Sequence, residues 1–268
     1  MNTTVTLSTP KAPKTLSAEQ IEQYEKLGYF VVTGLFTAKE VKEMLVECDA
    51  ILAGEYAELY QGAFQIDPGS NAEKKAERKI TAVVERSVIF RKYLLKETLV
   101  RRMQDILGED ILLFRDILML KPALVGSKMP WHQDSNYWKI APAELCSVWT
   151  ALDPATSENG CMQVIPGSHK LDLIKSRLAH GTGSLDDDQV SLDKAIEVPM
   201  EPGSSLFFHS RLLHGSGANH SPNSRRAFIT SFMSAHSKQT QFGPNIRSHY
   251  FQVSGKPHAG CVKNSSVI

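Results

Sequence analysis

The tripeptide His132-Gln133-Asp134 carries two metal-ligating side chains at a spacing that suits one site. Side chains alternate along an extended strand, so an imidazole and a carboxylate two residues apart project from the same face. A histidine from elsewhere would complete a two-histidine, one-carboxylate triad, which holds non-haem Fe(II) and leaves positions open for a cosubstrate and O2. Because the chain has nine histidines, the tripeptide also arises readily by chance. The alternative is a hydrogen-bonded pair without a metal.

Three histidines within residues 206–220 are candidates for the second imidazole. His214 ends a β-rich run that leads into a glycine turn, where a strand can deliver a ligand to the mouth of a barrel. His209 lies an odd number of residues away and on a regular strand faces the other side. His220 falls within the turn, where we expect it to be exposed. The pattern therefore favours His214.

Two adjacent arginines, Arg225 and Arg226, open an apolar run over residues 224–233. Neighbours on a strand face opposite sides, so we expect one to point inward and the other to solvent. A buried guanidinium needs an anionic partner, and a carboxylate is the natural one. The alternative is that both lie on a rim.

The bulk composition excludes some classes of function. The 268 residues are 42% hydrophobic, and the net charge of +1 favours neither nucleic acid nor an anionic membrane as partner. Residues 1–13 lack the apolar core of a signal peptide, and no apolar run approaches the roughly 18 residues that span a bilayer. Four cysteines without CxxC spacing indicate reduced thiols in a cytoplasmic protein.

The first 110 residues read as mainly helical. Ser17 and Thr37 each open a capping box, which predicts helices over about 17–26 and 37–53, with a strand over 29–33 between them. Residues 54–80 are weakly patterned and polar. Residues 86–107 read as one or two amphipathic helices that end at Gly108.

From residue 111 onward, short β-rich runs alternate with turns. The predicted strands cover residues 111–120, 145–152, 162–165, 195–198, 205–209 and 226–233. We expect a flexible tail over 1–14 and one domain over 15–268, with a helical buttress over about 15–110, a β-sandwich or barrel core over about 111–235 and a C-terminal extension. Residues 181–193, with three consecutive aspartates at 186–188, read as a solvated loop or a lid.

Several segments, in this order, resemble the phytanoyl-CoA dioxygenase family of Fe(II)/2-oxoglutarate oxygenases. The matching pieces are Trp131-His-Gln-Asp134, the run from Trp149 to residue 152, residues 158–170, residues 214–219 and Arg225. Residues 28–32 resemble the strand that follows the family's first helix. The joint match spans about residues 111–233 and is specific, unlike any one piece.

The resemblance implies a jelly-roll, cupin-like double-stranded β-helix with Fe(II), 2-oxoglutarate and O2 as cofactors. It makes His132, Asp134 and His214 the iron ligands and Arg225 the clamp on the distal carboxylate of 2-oxoglutarate, with Arg226 facing outward. Trp149 and Ser216 match positions lining the 2-oxoglutarate pocket. Ile117 and Lys79 correspond only loosely to further positions of that pocket.

The implied reaction is hydroxylation of an unactivated C–H bond of a small molecule, with release of succinate and CO2. Related halogenases have a small residue where this chain has Asp134, so the carboxylate favours hydroxylation, or a related desaturation or cyclisation. The alternatives are a non-catalytic jelly-roll binding protein and a metal oxygenase that does not use 2-oxoglutarate. Five residues near the motifs are candidates for substrate contact, with packing or surface exposure as the alternative: Trp131, Asn136, Tyr137, Trp138 and Arg211.

Overall fold

The computed structural model describes residues 15–70, 76–175, 185, 187–240, 250–262 and 264–265. The expected tail over 1–14 and part of the expected loop over 181–193 lie outside the described residues. The helices are α1 (Ala18–Leu27), α2 (Ala38–Leu52), α3 (Val83–Arg86), α4 (Val88–Leu94) and α5 (Glu97–Leu107). The strands are β1 (Tyr29–Val32), β2 (Phe64–Ile66), β3 (Glu77–Thr81), β4 (Ile111–Lys121), β5 (Met129–His132), β6 (Ile140–Ala141), β7 (Cys146–Ala151), β8 (Met162–Val164), β9 (Ile196–Val198), β10 (Ser205–His209), β11 (His214–Ser216), β12 (Arg225–Ser234), β13 (Lys238–Gln239), β14 (Tyr250–Ser254) and β15 (Asn264–Ser265).

The first two helices begin where their capping boxes predict. Ser17 accepts a hydrogen bond from the backbone N–H of Gln20, and the Gln20 side chain accepts one from the backbone of Ser17. Thr37 and Glu40 repeat the arrangement at α2. Each box satisfies backbone N–H groups that have no partner within the helix, which fixes the start of the helix. Residues 86–107 hold two helices, α4 and α5, as the sequence allowed.

Strands β1, β10, β7, β12, β4, β14 and β15 form a large sheet in that order, and β3 also pairs with β4 and β2 with β3. Strands β5, β11, β8 and β9 form a small sheet, and β6 pairs with β13. Side chains of the large and small sheets share one hydrophobic cluster, so the two sheets pack face to face as a jelly roll. The fold class expected from the resemblance is confirmed.

Because side chains alternate along the central strands, the two faces of the large sheet pack into two different hydrophobic cores. On β10, Phe207 packs toward the helices, whereas Leu206 and Phe208 pack toward the small sheet. On β12, Phe228 and Ala227 divide in the same way. The period of two along each strand therefore gives one face to a helical buttress and leaves the other face to build a site.

The large sheet extends beyond the core expected over residues 111–235. β1 pairs with β10 at one edge, and β2 and β3, from the weakly patterned residues 54–80, extend the sheet beside β4. β14 pairs with the start of β4. The sequence missed β2 and β3 because β2 has only three residues and β3 begins with three charged ones, so neither gives a strand pattern long enough to recognise. In the part of the chain that the structure describes, no helix is long and apolar enough to cross a bilayer.

Candidate metal and cosubstrate site

The two histidines of the candidate triad lie opposite each other on paired strands of the small sheet. His132 ends β5, His214 begins β11, and the two are direct partners in the register of this antiparallel pair. Their ring centroids are 4.1 Å apart. Strand pairing alone therefore brings together two residues that are far apart in the sequence.

Both motifs differ locally from the sequence prediction. The strand expected to continue through Asp134 ends at His132, and Asp134 opens a short 3-10 turn. Gln133 keeps extended backbone angles of −112° and 123°, so Asp134 still projects to the same side as His132. The single run expected to end at His214 is also divided. β10 ends at His209 in the large sheet, and His214 begins a new strand in the small sheet.

His132, Asp134 and His214 are buried, and their potential ligand atoms all lie within 4.8 Å of one another. Oδ1 of Asp134 is 3.7 Å from Nε2 of His132 and 4.0 Å from Nε2 of His214. None of these separations is a hydrogen bond, so the three atoms surround a space between them. Two imidazole nitrogens and one carboxylate oxygen arranged in this way can hold a transition metal on one face.

Each imidazole is oriented by the chain just before it. Nδ1 of His132 lies 2.8 Å from the carbonyl oxygen of Pro130, and Nδ1 of His214 lies 2.8 Å from that of Leu212. A carbonyl only accepts, so each Nδ1 carries the proton and each Nε2 presents its lone pair to the space beside Asp134. Burial, together with the nearby His214, lowers the pKa of His132 to about 3, which keeps this ring neutral, as a metal ligand must be.

The carboxylate of Asp134 is supported from the large sheet. Oγ of Ser147 on β7 donates to Oδ2 of Asp134 at 3.4 Å, and Ser147 shares a 2.8 Å hydrogen bond with Ser231 on β12. This contact engages the oxygen that faces away from the two histidines. Oδ1 consequently faces the space between the two imidazoles.

Arg225 occupies the inner face of β12 and is only 1% exposed. Nη1 donates to the carbonyl oxygen of Gly160 at 2.9 Å, and the guanidinium lies 5.0 Å from the ring centroid of Trp149. Nε has no acceptor among the described residues. Burial lowers the pKa of Arg225 to about 10, which leaves it charged at neutral pH. A buried cation with an unused donor is a binding position for an anion.

Arg226 points to the opposite side of the sheet, as the alternation predicts. Its guanidinium donates twice to the carboxylate of Asp153, through Nε at 2.8 Å and Nη2 at 2.9 Å. Nη1 donates to Oδ1 of Asp49 at 2.7 Å. The two adjacent arginines are therefore distinguished by their partners: Arg226 donates to carboxylates, whereas Arg225 donates to no carboxylate among the described residues.

A cavity between the two sheets joins the triad to Arg225 and Trp149. Its lining is apolar toward the large sheet, with Met119, Phe208 and Ile229, and Met162 contributes from the small sheet. Polar lining comes from Asp67, Arg78, Arg115, Lys121, Ser127, Ser216 and Ser231. Sequence reasoning singled out only Ser216 among these, since the others lie in β3, β4, β12 or turns, at positions without a recognisable motif.

Lys121 is the functional candidate that sequence reasoning missed most clearly. It is the register partner of Arg225 across β4 and β12 and is only 4% exposed. Its ammonium donates to the Ser127 carbonyl and the Ser216 hydroxyl, each at 3.0 Å, and to the Gly217 carbonyl. Because Ser216 accepts this bond, its own hydrogen remains available to another acceptor. A lysine that precedes a proline at the end of a long predicted strand was the available signal.

The two loosely matched positions lie on neighbouring strands. Ile117 is buried on β4 as the register partner of Ile229. Lys79 on β3 is the partner of Met119, which lines the cavity. Burial, with Arg115 and Arg78 nearby, lowers the pKa of Lys79 to about 8, while Asp134 opposes this shift. Lys79 therefore neighbours a strand of the cavity wall but does not itself belong to the lining.

The structure brings none of the five expected substrate residues into the cavity lining. Trp131 alternates with His132 and packs outside the small sheet with Ile165 and Leu213. Trp138 is buried against Phe114. Tyr137 comes nearest, since it is 40% exposed and its ring centroid lies 5.9 Å from that of His132.

The other two expected substrate residues serve the chain itself. The side-chain amide of Asn136 donates to the carbonyl oxygen of Ile174 at 3.0 Å. The carbonyl of Arg211 accepts from the side chain of Gln133 at 2.9 Å, and Arg211 does not line the cavity. Sequence proximity to the motif therefore does not place a residue in the cavity lining, and contact of these five residues with substrate stays a prediction.

The two competing histidines lie away from the triad. The ring of His209 packs against Tyr24 and His169, with centroid distances of 6.2 and 5.4 Å, on the side of the buttress. His220 is exposed. Of the three candidates in this region, only His214 faces His132 and Asp134, as the pattern favours.

Comparison with known families gives one match over most of the chain. The model of the phytanoyl-CoA dioxygenase (PhyH) family matches residues 24–227. A probable phytanoyl-CoA dioxygenase from Caenorhabditis elegans is 30% identical over 230 residues, which cover 79% of this chain and 73% of the relative. The peroxisomal phytanoyl-CoA dioxygenase of Homo sapiens is 29% identical over 82% of this chain and 69% of the relative. An ectoine dioxygenase from Bordetella bronchiseptica is 26% identical over 77% of this chain and 72% of its own length.

Solved structures share the fold at lower identity. EctD from S. alaskensis, with 2-oxoglutarate and 5-hydroxyectoine, superimposes with a TM-score of 0.77 at 20% identity, over 97% of this chain and 90% of EctD. The epimerase SnoN, in complex with Fe3+, alpha ketoglutarate and nogalamycin RO, gives a TM-score of 0.70 at 20% identity, over 90% of this chain and 95% of SnoN. These likenesses establish the same jelly-roll fold.

Proposed function

This chain belongs to the phytanoyl-CoA dioxygenase family of Fe(II)- and 2-oxoglutarate-dependent dioxygenases, and we propose that it hydroxylates an unactivated C–H bond of a small molecule. Succinate and CO2 are the products of the cosubstrate. The observation that carries the proposal is the convergence of three buried ligand atoms, from His132, Asp134 and His214, in one cavity with the buried Arg225.

The residues fit both absent groups. For iron, both histidines present unprotonated Nε2 atoms to the same carboxylate oxygen, which is the donor set of a non-haem Fe(II) site. For 2-oxoglutarate, Arg225 offers a buried charge whose Nε has no acceptor among the described residues. A dicarboxylate between the metal and Arg225 would neutralise that charge, and burial makes the interaction strong.

Bound Fe(II), with 2-oxoglutarate and O2, supplies oxidising power by coupling decarboxylation of the cosubstrate to insertion of an oxygen atom into a C–H bond. The chain's own residues bind and orient. Arg225 would hold the distal carboxylate of 2-oxoglutarate, and the Ser216 hydroxyl would donate its free hydrogen at the same end of the cavity. The Trp149 ring keeps Arg225 in place. The apolar lining excludes water, which strengthens these charge interactions.

Asp134 bears on the outcome of the reaction. Its carboxylate fills the place that a small residue leaves open in related halogenases, and Ser147 holds it there. We therefore infer hydroxylation rather than halogenation. Asp134→Ala is expected to abolish substrate hydroxylation, because the metal loses its only carboxylate ligand in the triad.

The test is anaerobic titration of the iron-loaded protein with 2-oxoglutarate, followed by a substrate screen that measures succinate. We expect a weak visible charge-transfer band, which reports chelation of iron by the keto acid. Arg225→Ala should raise the Kd of 2-oxoglutarate about 10- to 150-fold, the equivalent of about 1.5–3 kcal/mol for lost hydrogen bonds to a charged group. The Kd of Fe(II), measured by competition with a chelator, should change little.

Arg226→Ala is the matched control, because it removes the adjacent guanidinium on the other face of the sheet. It should leave the Kd of 2-oxoglutarate unchanged. If the wild type gives no band and releases no succinate with any compound, the proposed reaction is wrong. A band without succinate would instead indicate a non-catalytic binding protein. Succinate-independent oxidation would indicate an oxygenase that does not use 2-oxoglutarate.

We propose a free small molecule as substrate and the cytoplasm as location. The named relatives act on different compounds, ectoine and phytanoyl-CoA among them, which supports small molecules as the class. All four cysteines are free thiols, which supports a reducing compartment. The Homo sapiens and Bos taurus relatives are peroxisomal enzymes, so the peroxisome is the alternative location. Fractionation with a peroxisomal or cytoplasmic marker tests the location.

A further inference from the structure

A second group of metal-ligating side chains lies away from the cavity. Asp110 precedes β4, His236 follows β12 and His258 follows β14. One ligand atom from each lies within 4.8 Å of the other two. None of the three lines the cavity of the first site. We propose that Asp110, His236 and His258 form a second divalent-metal site that binds Zn²⁺ and fastens β14 to the jelly roll.

The geometry directs both imidazoles at one oxygen. Nε2 of His258 lies 2.7 Å from Oδ2 of Asp110, and Nε2 of His236 lies 3.8 Å from the same atom. The two rings stack with centroids 3.6 Å apart and planes 28° from parallel. A hydrogen bond to Asp110 explains the position of the His258 ring but not that of the His236 ring. A cation shared by both nitrogens and Oδ2 accounts for all three positions.

The carboxylate is fixed before any metal arrives. Oδ1 of Asp110 accepts from the backbone N–H of Lys256 at 2.8 Å, so Oδ2 is the atom turned toward the imidazoles. The carbonyl of Asp110 accepts from the N–H of Ala235 at 2.7 Å, which brings the segment that bears His236 alongside. Gly255 packs so closely on Asp110 that any side chain there would overlap the carboxylate. Such pre-organisation lowers the cost of binding an ion.

The donor set suits zinc. Two imidazole nitrogens and one carboxylate oxygen leave one tetrahedral position, which a water can fill because the His236 side chain is 63% exposed. Cys261 lies nearby, with Sγ 3.3 Å from the carbonyl oxygen of His236, but it is not part of the three-atom group. We therefore assign the thiol no role as a ligand.

The consequence is structural. β14 pairs with the start of β4, and the three ligands come from segments that adjoin β4, β12 and β14. An ion bound to all three would cross-link β14 to the long paired strands β4 and β12 of the large sheet. An ion that binds the folded chain but not the unfolded chain stabilises the folded state by mass action.

The test counts zinc in the full-length protein, stripped with a chelator and then dialysed against ZnCl2. We expect two equivalents in the wild type, one at each site, and one equivalent in His258→Gln. Glutamine keeps a donor for Asp110 but cannot ligate zinc as imidazole does, so the variant separates the hydrogen bond from the metal. Co²⁺ in place of Zn²⁺ should add visible bands of a four-coordinate N/O site to the wild type only.

Two variants serve as controls. Cys261→Ser should retain both equivalents, and so should His220→Ala, which removes an exposed histidine elsewhere. Equal zinc contents in the wild type and in a folded His258→Gln protein would overturn the proposal. A cobalt spectrum with a sulfur charge-transfer band would overturn the ligand assignment. The visible charge-transfer band with 2-oxoglutarate reports on the first site separately. A wrong assignment of the first site can therefore be distinguished from a wrong assignment of the second.

Discussion

At the scale of single residues, Lys121 combines near-complete burial with hydrogen bonds to three oxygen acceptors. Burial is the largest influence and, with the charges of Arg225 and Arg78, lowers the pKa of Lys121 to about 7. An unfolded lysine titrates near pH 10.4. Between these values the unfolded chain binds a proton that the folded chain does not. The free energy of unfolding should therefore rise with pH through this window.

Lys121→Met is predicted to remove that rise. Wild type should gain stability relative to the variant above about pH 7, by at most about 1.4 kcal/mol per pH unit, and lose it again as pH falls. The absolute stability of Lys121→Met should be lower, because the Gly217 and Ser127 carbonyls lose a donor. Denaturant unfolding at several pH values measures the slope.

Lys170→Met provides the control, since it removes an exposed lysine. It should reproduce the slope of the wild type. Parallel curves for wild type and Lys121→Met would show that Lys121 does not titrate in this window.

At the scale of elements, the turn between β7 and β8 supports Arg225, the proposed clamp for 2-oxoglutarate. Gly160 has a φ of +76°, and any Cβ there would overlap the carbonyl of Gly217, in the turn after β11. The carbonyl of Gly160 accepts from Arg225. The residue therefore joins three elements: the turn before β8, the turn after β11 and the inner face of β12.

Gly160→Ala is predicted to destabilise the fold by about 2–4 kcal/mol, through unfavourable φ and overlap with backbone atoms. It should also raise the Kd of 2-oxoglutarate, because Arg225 loses the position of its acceptor. Gly62→Ala is the matched control, with a φ of +73° and no atom within 4 Å of the added Cβ. Its free energy of unfolding should fall only by the cost of the unfavourable φ, and its Kd for 2-oxoglutarate should not change. Equal effects of the two substitutions would refute the role of Gly160.

The same scale explains why the five expected substrate residues lie outside the cavity lining. A strand in a packed sheet gives alternate residues to opposite faces, so His132 and Trp131 cannot both line the cavity. The sequence places Trp131 beside a ligand, but the register with β11 decides which face is inward. Cavity walls come instead from β4, β7, β10 and β12, strands on which the sequence showed no motif apart from Arg225 and Trp149.

At the scale of the whole molecule, the proposed site for iron and 2-oxoglutarate lies between two sheets that the chain assembles from distant segments. We predict that saturating Fe(II) and 2-oxoglutarate, under anaerobic conditions, raise the Tm. At a ligand concentration 100 times its Kd, the gain is about 2.7 kcal/mol, which corresponds to a shift of about 5–10 °C for a domain of this size. Differential scanning fluorimetry measures it.

In Arg225→Ala, 2-oxoglutarate should no longer raise the Tm, whereas Fe(II) should still raise it. No shift in the wild type, or an equal loss of both increments in the variant, would argue against a shared site between the sheets.

The sequence alone determined the chemistry and much of the local structure. The donor types of His132, Asp134 and His214 and the capping boxes at Ser17 and Thr37 are local properties. So are the alternating strands over 145–152, 205–209 and 226–233, and the opposite orientations of Arg225 and Arg226. Periodicity and hydrogen-bonding capacity are fixed by neighbours in the chain, so they can be read without a structure.

Only the tertiary structure decided which of these residues meet. The register of β5 with β11 places His132 opposite His214, and the register of β4 with β12 places Lys121 beside Arg225. Folding likewise brought β3 to the wall of the site and joined Asp110, His236 and His258 at the other end of β4. These contacts depend on pairing between segments far apart in the chain, whose free energy is shared among many packed side chains and is written in no single local pattern.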